Sequence, residues 1–254
     1  MNLLLKMAAF GARILPKAAK RLLYRVPPLA KFIRNKLNSA APQGLTEVII
    51  ASGELQGTSL LLDLQKEKDY WLGTYELDLQ AAAQKYCQPG MVIYDVGANI
   101  GYISLIFALL AGENGRVFAF EALSQNVERL NRNITLNHME KRITVVSAAV
   151  ANRTGKIPFL VHASCAMGKA EGSAGRAEKY QRSINVPCIT LDDFAFKQKH
   201  PAPDLIKMDI EGGEVLAIQG MQRILLETKP VIFIELHGQR AIKIIANNLI
   251  NINY

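Results

Sequence analysis

The chain has 254 residues, half of them hydrophobic, enough to bury one substantial α/β core and cramped for two full domains. Its formal charge of +8 is lopsided, because residues 1 to 46 carry nine Lys or Arg and no acid, leaving 21 basic against 22 acidic residues beyond. The body is therefore nearly neutral, which excludes reading the overall charge as a nucleic-acid footprint of the folded domain.

In the first forty residues Leu3, Met7, Phe10 and Ile14, then Leu29, Phe32, Ile33 and Leu37, recur at helical spacing with basic residues between them. Breaks fall at Pro16 and at Pro27-Pro28. This predicts short basic amphipathic helices in an N-terminal extension over residues 1–45. Peripheral attachment to an anionic membrane through residues 1–40 accounts for them, as does a solvated appendage. The longest apolar run, Tyr102 to Ala111, is about half the ~20 residues of a membrane span. Cys87, Cys165 and Cys188 are odd in number and lack metal-ligand spacing, and no signal-peptide cleavage pattern follows the N-terminal segment. A cytoplasmic protein is expected, with or without membrane association.

Residues 46–70 alternate apolar and polar, with Gly53 and Gly57 as turn signals, which predicts a β-ribbon; a lead-in helix over 74–88 completes a segment of 46–90. The main domain, 91–254, alternates β-rich runs with helical ones. The runs are Val92 to Val96, Val117 to Glu121, Ile143 to Ser147, Leu205 to Ile210 and Val231 to Leu236. This order predicts a Rossmann-like, mostly parallel sheet with helices on both faces. Tyr102 to Ala111, apolar all round and closed by Gly112, reads as a buried helix. Ser124 is expected to cap the next helix, and Val215 to Leu225 to form one joining the last two strands. Asn152 to Asn185 breaks the alternation, with a hairpin expected at Thr154-Gly155 and a small-residue tract from Gly168 to Gly175; a substrate-side loop or a plain surface loop both fit.

The sharpest local signal is the strand, Gly-containing turn and helix of Val92 through Tyr102. Gly97 and Gly101 let the backbone turn tightly and approach a ligand, with helix N-terminal amides aimed at it. Glu121, ending the next strand, offers two acceptor oxygens to a ribose diol. Structural punctuation and a solvated strand end explain each feature separately, whereas a nucleoside cofactor explains both. Dinucleotide sites use G-x-G-x-x-G around a pyrophosphate. Here Asp95 precedes a Gly97-x-x-x-Gly101 turn, and its carboxylate suits an ammonium and a sulfonium better than a pyrophosphate. A nicotinamide or flavin oxidoreductase is the alternative.

The segment Asp95-Val96-Gly97-Ala98-Asn99-Ile100-Gly101-Tyr102 resembles the first motif of FkbM-type methyltransferases, which use S-adenosylmethionine (AdoMet). Gly73-Thr74-Tyr75-Glu76 resembles the family's pre-motif. Thr190-Leu191-Asp192-Asp193 and the string Asp204 through Glu214 agree with it, as does the closing stretch Pro230 to His237. The resemblance implies a class I methyltransferase fold. Asp95, Gly97, Ala98, Asn99 and Gly101 would surround the methionine part of AdoMet, Glu121 would hold the ribose, Ser147 and Ala148 would lie beside the adenine, and Glu76 would join the cofactor set. Ala122 stands where the family usually has proline. The chain stops at Tyr254, before the antiparallel strand pair that usually completes such a sheet.

Methyl transfer to an alcohol needs positioning and removal of a proton. Ligands of open α/β sheets bind at the carboxyl ends of strands, which gathers Asp209 and Glu211, Glu235 and His237 around one crevice. Members of each pair are two apart, and would share a face while the strand persists. His237 is the expected base because imidazole titrates near neutrality, with Asp209 or Glu211 next. A strand-end cap for His237 and a helix start at Glu211 are the structural alternatives. Lys207 reads as a paired sheet-end charge. Asp209, Glu211 and Glu235 are hard ligands that would suit Mg²⁺, although catalysis without a metal is the preferred expectation, and nothing suggests zinc. Asp209-Ile210-Glu211-Gly212 stands where methylases of exocyclic base nitrogens usually carry Asp/Asn-Pro-Pro-aromatic, and aromatic content is 7%. No nucleic-acid partner is expected. From the resemblance, the acceptor is a hydroxyl of a carbohydrate or other small metabolite; a non-catalytic membrane-surface relative is a further alternative.

Overall fold

The computed structural model describes residues 3–15, 27–162, 168–170, 173, 180–252 and 254. The chain divides into two compact units, Met1–Ala81 and Ala82–Tyr254.

In the first unit, helix α1 (Leu3–Ile14) and helix α2 (Pro27–Ala40) precede strands β1 (Leu45–Ile49) and β2 (Ser59–Asp63), which pair antiparallel with Leu45 opposite Asp63. Pro27 opens α2 because a first-turn residue needs no backbone N–H. The expected break at Pro16 lies outside the described residues. Gly53 and Gly57 turn the ribbon at φ 85° and 90°. A single helical turn, α3 (Lys68–Trp71), follows and buries Trp71. Gly73 is required by close approach, since a Cβ there would lie 1.8 Å from the Ser52 carbonyl oxygen. Helix α4 (Leu77–Tyr86) then carries the chain into the second unit.

The second unit contains strands β3 (Val92–Val96), β4 (Arg116–Phe120) and β5 (Ile143–Val146), later joined by β10 (Leu205–Met208) and β11 (Val231–Ile234). All pair parallel in the order β11-β10-β3-β4-β5, so connectivity reverses between β3 and β10. Alternate residues segregate to opposite faces. Tyr94, Val96, Phe118, Phe120, Ile206 and Met208 share one core, in which Tyr94, Phe118 and Phe120 crowd Phe194 at centroid distances of 5.0 to 5.5 Å. Phe194 sits on a π-helical turn, Asp193–Lys197. Helix α5 (Tyr102–Ala111) is nearly all buried, as an apolar helix must be.

Helix α6 (Ser124–Leu136) begins at Ser124 itself, preceded by Leu123 with no side-chain cap, so the expected cap is corrected. The single helix expected over Val215 to Leu225 is two, α7 (Glu214–Gln219) and α8 (Gln222–Glu227). The break falls at Gly220, where a Cβ would meet the Ala151 carbonyl oxygen at 2.2 Å. Asp192 reaches across to accept the Arg223 and Ile224 amides at 3.0 Å each, a cap for α8 supplied from 31 and 32 residues away.

The segment expected as a loop is a second sheet, built by β6 (Ala149–Val150), β7 (Gly155–His162), β8 (Gly168–Ala170) and β9 (Tyr180–Ile189) in the order β6-β9-β7-β8. No hairpin forms at Thr154-Gly155. Both β6 and β7 use Cys188 of β9 as partner, so β9 lies between them. Half of the small-residue tract lies outside the described residues. After β11 comes helix α9 (Gln239–Asn251), and the described residues supply no antiparallel strand to the main sheet. No helix among the described residues is long and apolar enough to cross a membrane.

Candidate active site

The reversal between β3 and β10 opens the crevice in which α/β sheets bind ligands. Asp95, the penultimate residue of β3, lies opposite Lys207 on β10, both on the sheet face away from the aromatic core. The Asp95 carboxylate is wholly buried. Its Oδ2 accepts the Ser104 hydroxyl at 2.5 Å, and Oδ1 lies 3.3 Å from Lys207 Nζ. Lys207 also donates to the Gly97 carbonyl at 3.0 Å, tying the strand to the turn above it.

That turn is held from within. Gly97 and Ala98 amides both donate to the Phe120 carbonyl, the Asn99 amide to Glu121 Oε2, and the Gly101 amide to the Ala98 carbonyl. Buried Asn133 donates to the Ile100 carbonyl at 2.9 Å. Protein acceptors therefore take up the amides of 97, 98, 99 and 101, all of which precede the first residue of α5. The glycines likewise answer to the protein. A Cβ on Gly97 would lie 1.9 Å from the Asp209 carbonyl oxygen, and one on Gly101 would lie 2.3 Å from Leu130 Cδ1. Asn99 stands in the left-handed region at φ 50°, and its side-chain Oδ1 is buried without a hydrogen-bond partner.

Glu121 follows β4 and is nearly closed off. Oε1 accepts the Leu123 amide at 2.9 Å and Asn126 Nδ2 at 3.3 Å, while Oε2 accepts Asn99 N at 2.9 Å. Three of a carboxylate's roughly four acceptor sites are thus used, leaving Oε2 the room for one further donor. Burial pushes this carboxyl above the usual carboxylate range, opposed by the hydrogen bonds from Leu123, Asn99 and Asn126 and the charge of Lys207. Ser147 is exposed and Ala148 buried just beyond β5, next to the β4 end.

Asp209, Glu211, Glu235 and His237 all lie past their strands, which end at Met208 and Ile234. Strand alternation therefore does not align them. The chain instead reverses through Glu211 at φ 52° and Gly212 at φ 101°. The reversal brings donor atoms of Asp209, Glu211 and His237 within 4.8 Å of one another, a spacing that would admit a divalent ion. His237 Nε2 lies 3.6 Å from both Glu211 Oε2 and Glu235 Oε1. Its Nδ1 lies 2.9 Å from Oε1 of Glu214, a carboxylate with no exposure that also accepts the Ile210 and Gly212 amides. Burial pulls the imidazole pKa down, but Glu214, Glu211 and Asp209 outweigh it, and the net value is raised.

Sequence reasoning missed one residue here: Glu214 is named only within a motif, although a carboxylate three residues past Glu211 and near a helix start is a visible signal. Lys207, read as a paired sheet-end charge alternating away from Ile206 and Met208, has its partner in Asp95. Glu76 belongs to the first unit, where it has a left-handed φ of 44° and raises the Tyr75 hydroxyl's pKa by its charge and hydrogen bond, after burial and the neighbouring Tyr70. Thr190 to Asp193 do architectural work: the Asp193 amide donates to Thr190 Oγ1, and Asp193 Oδ2 accepts Thr154 Oγ1 at 2.6 Å.

Residues 95–246 match the model of the methyltransferase FkbM domain. The hexuronic acid methyltransferase AglP of Haloferax volcanii is 27% identical over 147 residues, covering 58% of this chain and 56% of that protein. The ribosomal protein L11 methyltransferase of Carboxydothermus hydrogenoformans is 35% identical over 65 residues, 26% of this chain and 21% of that one. The chain thus spans about half or less of the length of these curated relatives. The crystal structure of methyltransferase FkbM from Methylobacillus flagellatus aligns with a TM-score of 0.48 at 20% identity, covering 88% of this chain and 54% of the other.

Proposed function

Because this chain belongs to the FkbM methyltransferase family, we propose that it transfers a methyl group from AdoMet to a hydroxyl of a carbohydrate or other small metabolite. The observation that carries this reading is the turn at the sheet's reversal, where Asn99 Oδ1 is a buried acceptor without a donor. An α-ammonium would supply that donor, so the residues present fit the amino-acid end of AdoMet. Asn99 and the turn from Gly97 to Gly101 would hold that end, with the buried Asp95 carboxylate supplying negative charge beneath it. Glu121 Oε2 would take one ribose hydroxyl, and Ser147 and Ala148 would border the base.

When bound, AdoMet supplies an electrophilic methyl group on a sulfonium. His237 takes the proton of the acceptor hydroxyl on Nε2. Glu214 holds Nδ1–H, fixing the tautomer that leaves Nε2 basic. Glu211 and Glu235 flank that nitrogen and stabilise the imidazolium once the proton has moved. The carbohydrate class is supported by similarity to a protein named for methylating a hexuronic acid.

Calorimetry with AdoMet and its demethylated product, on the parent and on Glu121→Gln, tests the cofactor reading; absence of heat with the parent overturns it. Labelled AdoMet with a panel of hexose and hexuronic acid glycosides tests the acceptor class, and cofactor binding without label in any hydroxyl sets that class aside. A second reading rests on the 4.8 Å grouping of Asp209, Glu211 and His237 around a divalent ion. Activity lost to a chelator and restored by Mg²⁺ or Mn²⁺ would make His237 a ligand in place of a base.

A further inference from the structure

Helix α1 shows the solvent the side chains that a surface helix normally hides. Leu3, Met7, Phe10 and Ile14 are 71%, 63%, 66% and 61% exposed, while the helix rests on its own unit through Leu5, Ala9 and Ala12. The exposed four recur at i, i+4, i+7 and i+11, one continuous apolar stripe. Beneath α1 lies a cavity of about 650 Å³ lined by Leu5, Ala9, Val48, Leu64 and Trp71. On α2, Phe32 is also 61% exposed and Ile33 38%.

We infer that the first unit docks on the surface of an anionic lipid bilayer through the exposed stripe of α1. Charge complementarity selects this occupant: residues 1 to 46 hold nine cationic side chains and no acid, Lys6 lies on α1 itself, and Lys31 and Lys36 are exposed on α2. Composition separates a bilayer from a protein partner. The twelve residues of α1 contain, besides Lys6, Gly11 and Arg13, only apolar side chains, with none of the Tyr, Trp or neutral polar groups that build a protein interface and its rim. Aliphatic and Phe side chains beside cations are what the headgroup boundary accepts. Twelve residues span ~18 Å as a helix, well short of a ~30 Å hydrocarbon core, so α1 would lie in the interface plane. Docking of this kind is independent of methyl transfer.

The test is flotation of the full chain with vesicles of phosphatidylcholine alone or mixed with phosphatidylglycerol, at low and high salt. The expected result is flotation with the mixed vesicles, weakened at least ~10-fold by high salt or by neutral lipid. Met7→Ser combined with Phe10→Ser should weaken it by ~10-fold or more, as should Lys6→Glu combined with Lys31→Glu, while the heat of AdoMet binding stays unchanged. These side chains are exposed, so the variants should keep the parent's circular dichroism. A chain that stays at the bottom with mixed vesicles, variants that float like the parent, or stripe-dependent self-association without vesicle binding would each overturn the inference.

Discussion

Lys207 on β10 and Asp95 on β3 are register partners on adjacent parallel strands and form an ion pair at 3.3 Å with side chains 6% and 0% exposed. A buried charge stripped of its partner costs far more than the pair itself contributes. Lys207→Met should therefore lower stability by about 3–5 kcal/mol in urea denaturation. Combining it with Asp95→Asn should recover part of that loss, and equal losses in the single and double variants would show that the pair is not the source of the cost.

Catalytic pH dependence should follow His237. Its raised pKa means that the basic form accumulates only as pH climbs through a value above the ordinary imidazole, so turnover should rise across that window. Glu214→Gln removes the neighbouring charge that does most to raise it, and the acid limb of the rate profile should move to lower pH. His237→Ala should cost ~10²- to 10⁴-fold in kcat with little change in AdoMet affinity. An acid limb unmoved by Glu214→Gln would assign that limb to another group.

Glu121 gives an opposite reading at the cofactor. Burial holds its carboxyl above the usual range, so protonation begins at a higher pH than for an exposed glutamate. AdoMet affinity should therefore weaken on mild acidification, because a protonated oxygen accepts a ribose hydroxyl poorly. Folding shows the reverse sign. A group whose folded pKa is raised contributes stability that is present below its unfolded pKa and lost as pH rises through the folded value. Titration of affinity against pH, with Glu121→Gln as the pH-insensitive control, checks the first; chemical denaturation across the same range checks the second.

Gly97 and Gly101 should differ in their tolerance of a methyl group. Both sit at positive φ, costing of the order of 1–3 kcal/mol for any other residue. Gly97→Ala also drives its Cβ into the Asp209 backbone, whereas Gly101→Ala meets the end of the Leu130 side chain, which can rotate away. Thermal denaturation should find Gly97→Ala the more damaging, and the reverse order would contradict the packing described.

The sheet was readable from sequence because its strands are short apolar runs between strong turn signals; Val92–Val96 and Tyr102–Ala111 have the expected bounds. Strands β10 and β11 end two residues short of the expected Ile210 and Leu236, because the chain leaves the sheet after the Asp209 and Glu235 amides have bonded the Val96 and Met208 carbonyls. The second sheet escaped notice because β9 pairs with strands on both flanks, a long-range arrangement without a local hairpin signature. Turn glycines announced a close approach and left its partner unnamed. Pattern alone could not show that Gly97 abuts the Asp209 backbone, nor that Glu121 already serves Asn99, Leu123 and Asn126.

The clasp made by Asp192 bears on how mutagenesis of this enzyme family should be read. An acid beside Asp193, shortly before the strand that leads to Asp209, invites grouping with the reactive carboxylates. Both of its oxygens are committed to amides opening α8. A screen that scores only product would file its loss under chemistry. Limited proteolysis run alongside would reveal an unlatched helix, and a defect in architecture would no longer pass for one in turnover.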